Sequence, residues 1–149
     1  MKPFRKHVAI AIDGGGIKGV MVTRALSILE EHLGQSAHDI FQLAAGTSTG
    51  SIISAGIAAG LSAERMYRLY VTLGDDVLKK TLRSRLWLLA RYRYPLEPLA
   101  RAIREHIGDI KIGDLWTQTP PFDVVITAFD LVENRTRFVK PWKPEYADW

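Results

Sequence analysis

Cysteine is missing from all 149 positions. Disulfides and thiolate metal sites are thereby excluded, and the composition suits a reducing, cytoplasmic setting. No apolar run approaches the roughly 18 residues that a membrane-spanning helix needs. The basic start, Lys2 to His7, leads only into Val8-Ala9-Ile10-Ala11-Ile12 before Asp13 interrupts. That is too short for a signal-peptide core, and no cleavage site follows. The histidines (His7, His32, His38 and His106) are scattered without metal-ligand spacing and read as surface or helix-end residues. Neither a cofactor nor a metal is expected. What remains is the composition of an ordinary globular domain spanning residues 1–149, with 47% apolar and 24% charged residues.

The charge balance is mildly basic, 20 Lys+Arg against 16 Asp+Glu, for a net +4. Much of the excess sits in Lys79, Lys80, Arg83, Arg85, Arg91 and Arg93. Trp87, Tyr92 and Tyr94 interleave with these cations, as in a nucleic-acid patch, but no recognition motif accompanies them, so no nucleic acid is expected. The stretch from Leu86 to Ala90 is apolar all round with basic flanks. It fits a lid or a helix lying on an anionic membrane surface. It also fits a core helix whose arginines are solvated, which is the simpler reading.

The stretch Leu43-Ala44-Ala45-Gly46-Thr47-Ser48-Thr49-Gly50-Ser51 is the organising feature. An apolar, strand-like run from Ile40 to Ala45 stops at a glycine, and the small-residue segment Ile52 to Ala59 reads as a buried helix. Gly46-x-Ser48-x-Gly50 between strand and helix is the context of a nucleophile elbow. The turn is so tight that a Cβ at either glycine would strike neighbouring backbone. Ser48 is thereby lifted out of the sheet and set at a helix N-terminus, where unpaired N–H groups favour developing negative charge.

Val8 to Ile12 is a continuous β-rich run that suits a strand of a parallel sheet. It enters Asp13-Gly14-Gly15-Gly16-Ile17-Lys18-Gly19, a backbone bare of side chains whose N–H groups can converge on an anion. An amphipathic helix follows, with Val20, Ala25, Leu26, Ile28, Leu29 and Leu33 apolar, and Gly34 stops it. Strand, glycine loop, helix, strand, elbow and helix make a β-α-β-α unit with a parallel strand pair. Both loops then leave the carboxyl edge of one sheet and face each other. An acyl-transfer serine needs donors about 2.7–3.1 Å from the oxyanion, and the Gly14, Gly15, Gly16 and Thr49 amides can supply them.

The same loop fits Gly-x-Gly-x-x-Gly through Gly14, Gly16 and Gly19, the dinucleotide fingerprint. A dinucleotide site needs a carboxylate ending the second strand. Here that strand ends Leu43-Ala44-Ala45-Gly46, and Asp39 precedes it. Nor does Gly-Lys-Ser/Thr follow, as a Walker loop would require.

Leu61 to about Gly108 reads as helical. Ser62 caps one helix, Gly74-Asp75-Asp76 breaks it and restarts another, Pro95 ends the tryptophan stretch, and Pro98 sits in the first turn of a helix from Glu97 to His106. Pro120-Pro121 precedes a third strand, Phe122 to Asp130. A turn over Glu133-Asn134-Arg135-Thr136 enters a short strand, Arg137 to Val139. The aperiodic stretch after Lys140 gives the chain the look of one cut short.

On these motifs the chain resembles the N-terminal part of the patatin-like phospholipases, lipid acyl hydrolases. The matching residues are Asp13-Gly14-Gly15-Gly16-Ile17-Lys18-Gly19, then Gly46-Thr47-Ser48-Thr49-Gly50, then the strand Phe122 to Asp130 with its turn to Val139. The resemblance implies a three-layer α/β/α fold with a mainly parallel central sheet. It implies hydrolysis of acyl esters of phospholipids or other lipids by a serine–aspartate dyad without histidine or metal; a peripheral membrane surface is an expectation that the basic tryptophan stretch adds. Ser48 takes the place of the nucleophile, Gly14 to Gly16 that of the oxyanion loop, and Lys18 that of the family's arginine or lysine. The family's aspartate lies in an Asp-Gly-Gly or Asp-Gly-Ala motif beyond the Leu131–Val139 turn, and none follows here. Asp130 is the nearest substitute by position. A fragment of a longer enzyme, a degenerate homologue, and a non-catalytic lipid- or partner-binding module on the same scaffold all fit that departure. The intact loops favour the first.

Overall fold

The computed structural model describes residues 7–76 and 96–149. Strand β1 (Ala9–Ile12) leads through the glycine loop and a 3-10 turn (Gly16–Lys18) into helix α1 (Gly19–Leu33). Gly34 closes α1 in the left-handed region at φ 63°, where only glycine avoids a Cβ penalty. A single helical turn, α2 (Ala37–Ile40), is capped by the Ser36 hydroxyl and precedes β2 (Leu43–Thr47). Helix α3 (Thr49–Ala58) follows with one residue between, and that residue is Ser48. Then come α4 (Ala63–Asp76), α5 (Leu96–Ile107) and α6 (Ile112–Thr117). The hairpin β3 (Asp123–Asp130) and β4 (Arg135–Val139) completes the sheet, and a 3-10 turn follows over Pro144–Tyr146.

The strands lie in the order β1-β2-β3-β4, with β1, β2 and β3 parallel and β4 antiparallel. The fold is thus mixed α/β with a mainly parallel sheet. Register sets Ile10 beside Ala44 and Val124, and Ile12 beside Gly46 and Ile126. Alternation puts both rows on one face. Helix α3 packs against that sheet, and α1 and α4 pack on one another and on α3. Ile53, Ile57, Val124 and Phe122 are buried at the centre. Each large apolar side chain there contributes about 1.5–3 kcal/mol by leaving water. The opposite face leaves Ala9 and Ala11 exposed.

Four expectations are corrected. Ile40 belongs to α2, so β2 starts at Leu43 and reaches Thr47. Gly74 does not break α4, which runs through to Asp76. One glycine in a helix costs about 1 kcal/mol, less than the packing of the apolar face returns. Strand β4 begins at Arg135, two residues early, because Arg135 pairs opposite Asp130. On α1 the buried positions are Gly19, Thr23, Leu26 and Ser27, whereas Ala25, Ile28 and Leu33 are exposed. The reason is the partner: α1 faces α4, and Ser27 Oγ donates to the Glu64 carboxylate across that contact at 3.2 Å. The basic segment holding Lys79, Lys80, Arg83, Arg85, Trp87, Arg91 and Arg93, with Pro95, lies outside the described residues.

Candidate active site

Ser48 sits at φ 55°, ψ −121°, a region that a non-glycine residue occupies only when its surroundings force it. The flanking glycines show what the forcing is. A Cβ on Gly46 would fall inside contact distance of the Gly50 and Ser51 backbone. One on Gly50 would do the same to the Ile12 carbonyl. Ser51 Oγ staples the turn by donating to the Gly46 carbonyl at 2.8 Å, and the Ser51 amide donates to the Ser48 carbonyl at 2.9 Å. The result is an exposed Ser48 on a rigid corner at the start of α3.

The glycine loop comes directly against this corner. A Cβ on Gly14 would lie 3.0 Å from both Ser48 Cβ and the Thr47 carbonyl oxygen. The Gly15 amide donates to Thr49 Oγ1 at 3.2 Å, across 34 residues of sequence. Gly16 holds φ +58° and opens the 3-10 turn, where the Lys18 amide donates to the Gly15 carbonyl at 3.2 Å. The Lys18 side chain is exposed, as is Asp13, whose carbonyl oxygen lies close to Gly50. The two motifs that sequence places thirty residues apart therefore meet at one sheet edge. The Gly15 amide is engaged with the elbow rather than pointing into open space.

Thr49 is where several lines converge. Its hydroxyl receives Gly15, and its carbonyl accepts the Tyr70 phenol of α4 at 2.8 Å. The Tyr70 ring also lies against Gly19, where a Cβ would meet Cε1 at 2.5 Å. Burial pushes the Tyr70 hydroxyl well above its ordinary pKa, so it stays protonated and remains a donor. On the other side of the elbow, Thr127 of β3 reaches Thr47 Oγ1 at 2.9 Å. Neither Tyr70 nor Thr127 was legible as a site residue. The one available signal was a phenol on the apolar face of a helix, which needs a partner once buried.

Asp130 does not stand free as a base. Its Oδ1 accepts the Val132 and Glu133 amides at 3.0 and 3.1 Å, and its Oδ2 accepts Arg137 Nε at 3.0 Å. The Glu133 amide and then Arg137 hold its carboxyl below the usual carboxylate range. A general base for serine needs the opposite shift. Asp130, the nearest substitute for the family's aspartate by position, is here a turn-forming carboxylate. His38 is likewise structural, bonding the Ile57 carbonyl at 3.0 Å and stacking on Phe122.

The family model for patatin-like phospholipase matches residues 10–146. Patatin-like protein 1 of Oryza sativa subsp. indica is 32% identical over 145 residues, covering 87% of this chain and 34% of that protein. The cGAMP-activated phospholipase of Pseudomonas aeruginosa is 30% identical, covering 94% of this chain and 41% of its own length. An intracellular phospholipase A2 of Caenorhabditis elegans is 46% identical over 68 residues, which are 46% of this chain and 6% of that protein. Among solved structures, ExoU of the Pseudomonas aeruginosa type III secretion system, in complex with SpcU, superposes with a TM-score of 0.58 at 20% identity. It covers 90% of this chain and 34% of ExoU, a likeness of fold. The chain spans about a third of the length of relatives that it matches almost throughout. By the span of that family match, the chain belongs to the patatin-like phospholipases.

Proposed function

We propose that this chain carries the nucleophile and oxyanion loop of a serine acyl hydrolase acting on ester bonds of phospholipids or other lipids. In this reading Ser48 Oγ attacks the acyl carbonyl carbon, and the carbonyl electrons move onto its oxygen. Amides of Gly14, Gly16 and Thr49 take up that charge, while the Gly15 amide braces the cup through Thr49 Oγ1. Asp13, Lys18 and Gly19 shape the turn that presents the loop. The serine proton passes to the aspartate that the family resemblance implies, and thence to the leaving alcohol. Water then releases the acyl group by the same route in reverse.

The observation that carries this reading is the positive φ of Ser48 between two glycines that admit no Cβ, with Gly14 lying directly across from it. A steric turn without chemistry has no need to hold an exposed hydroxyl in a costly conformation. The substrate class rests on the family and on relatives whose names include phospholipase. No helix among the described residues is long and apolar enough to cross a membrane. A peripheral, intracellular encounter with lipid fits that, and the C. elegans relative is named as intracellular.

A fluorophosphonate probe tests the assignment on the full-length protein. Ser48 should be labelled, and Ser48→Ala should abolish both labelling and ester turnover. Equal labelling of the alanine variant would defeat it. Lipid binding that persists in Ser48→Ala, with no turnover by the wild type, would instead favour a binding module on this scaffold.

A further inference from the structure

Tyr70 lies on α4, the helix that follows the one opened by the elbow, and is only 2% exposed. Its ring packs on Gly19, the last residue of the glycine loop, and its hydroxyl donates to the Thr49 carbonyl at 2.8 Å. One side chain therefore touches both motifs. Phenylalanine would fill the same space without the cost of desolvating a hydroxyl, so the hydroxyl calls for a reason of its own. Satisfying the Thr49 carbonyl is not that reason. A carbonyl in the first turn of a helix already receives the amide four residues on. The phenol bond is an additional one, and what it adds is direction.

Thr49 lies at the junction of the cup. Its amide follows the nucleophile, its hydroxyl receives the Gly15 amide at 3.2 Å, and its carbonyl receives Tyr70. A shift of α4 is consequently passed to both loops together. Donors to an oxyanion work only near their optimal distance, and a misplacement of about 1 Å costs on the order of 10²-fold in rate.

On the reading that Ser48 is the nucleophile, we propose that Tyr70 is a positioning residue for acyl transfer: its ring on Gly19 and its hydroxyl on Thr49 fix the separation of the glycine loop from the elbow. Helix α4 is itself held at its start, where the Ala63 amide donates to Glu30 Oε2 at 2.9 Å and Glu64 accepts Ser27 Oγ at 3.2 Å. The brace thus runs from α1 through α4 to both loops, and Tyr70 is its end.

Tyr70→Phe keeps the ring and removes the hydroxyl. In the full-length protein, assayed well below its melting temperature on a p-nitrophenyl acyl ester, kcat should fall about tenfold with KM within about twofold. The first-order rate of Ser48 phosphonylation by a saturating fluorophosphonate should fall by a similar factor, because that reaction uses the same cup. A lower melting temperature with kcat and phosphonylation rate unchanged would overturn the proposal and leave the hydroxyl a stabiliser only. Should Tyr70→Phe not fold, Gly19→Ala reads the same brace, since its methyl would displace the ring. Its kcat should fall while KM holds, and an unchanged kcat there overturns the proposal equally. Wild-type labelling at a residue other than Ser48 would remove the nucleophile assignment, and Tyr70's role with it. That outcome is distinct from Ser48 labelled at an equal rate in both proteins.

Discussion

Gly50, in the first turn of α3, lies so close to the Ile12 carbonyl at the end of β1 that no Cβ fits between them. The helix that begins at the nucleophile is thereby seated on the strand that begins the oxyanion loop. Gly50→Ala should destabilise the protein by roughly 2 kcal/mol or more, because the obstacle is backbone and cannot rotate away. Urea unfolding measures this. The same substitution at Gly56 makes a contrast, since its nearest obstacle is the Met66 thioether, an adaptable group. Gly56→Ala should cost clearly less.

The Gly15 amide to Thr49 Oγ1 bond ties the two loops through a side chain, and it can be removed without changing volume. Thr49→Val should lower the Ser48 phosphonylation rate about tenfold and stability by at most about 1 kcal/mol, as the bond is lost and water takes up the exposed amide. Thr49→Ser keeps the oxygen and should restore most of both. A valine variant as fast as wild type would show that the loop holds its place without this bond.

Those two loops were readable because their chemistry is local. Glycines at Gly46 and Gly50 announce a turn that excludes Cβ, and β-rich runs before Asp13 and Gly46 announce buried parallel strands. The short helices were not read, for the opposite reason. Four residues in α2 and six in α6 are too few to show a period of 3.6, although Ser36 and Asp39 already form a capping pair, with the Asp39 amide on Ser36 Oγ at 3.2 Å. The role of Asp130 is not legible, because its position at a strand end says nothing of its partners. Its turn amides are only two and three residues on, but the ladder that brings Arg137 back to it is tertiary. Tyr70 shows in the sequence only as a phenol on an apolar helix face, since both its contacts depend on how α4 crosses α1 and α3.

Asp130 gives a pH dependence with a definite sign. The Glu133 and Val132 amides and Arg137 hold its carboxyl below its ordinary value, so between its folded and unfolded pKa the unfolded chain binds more protons. Its contribution is present above the unfolded value of about 3.9 and is lost as pH falls through the folded pKa. Asp130→Asn should therefore flatten part of the acid limb of a stability–pH curve. It should leave the Ser48 labelling rate unchanged near neutral pH. A large loss of labelling in this variant would make Asp130 the base.

Glu30 offers a prediction about the frame behind the site. One carboxylate oxygen accepts the Ala37 amide at 2.7 Å and the other the Ala63 amide at 2.9 Å, so a single α1 side chain serves the first amides of both α2 and α4. Orphan amides at a helix start cost about 1 kcal/mol each when their acceptor is lost. Glu30→Ala should thus destabilise the protein by roughly 2 kcal/mol in urea. Glu30→Gln, which keeps one carbonyl oxygen, should lose about half as much. The two-helix account also makes a claim about dynamics. Amide exchange in Glu30→Ala should rise at the start of α4 as well as at α2, since both ends lose the same acceptor. If only α2 loosens, then α4 is held by its packing on α1 and the Glu64 contacts, and the carboxylate serves one helix alone.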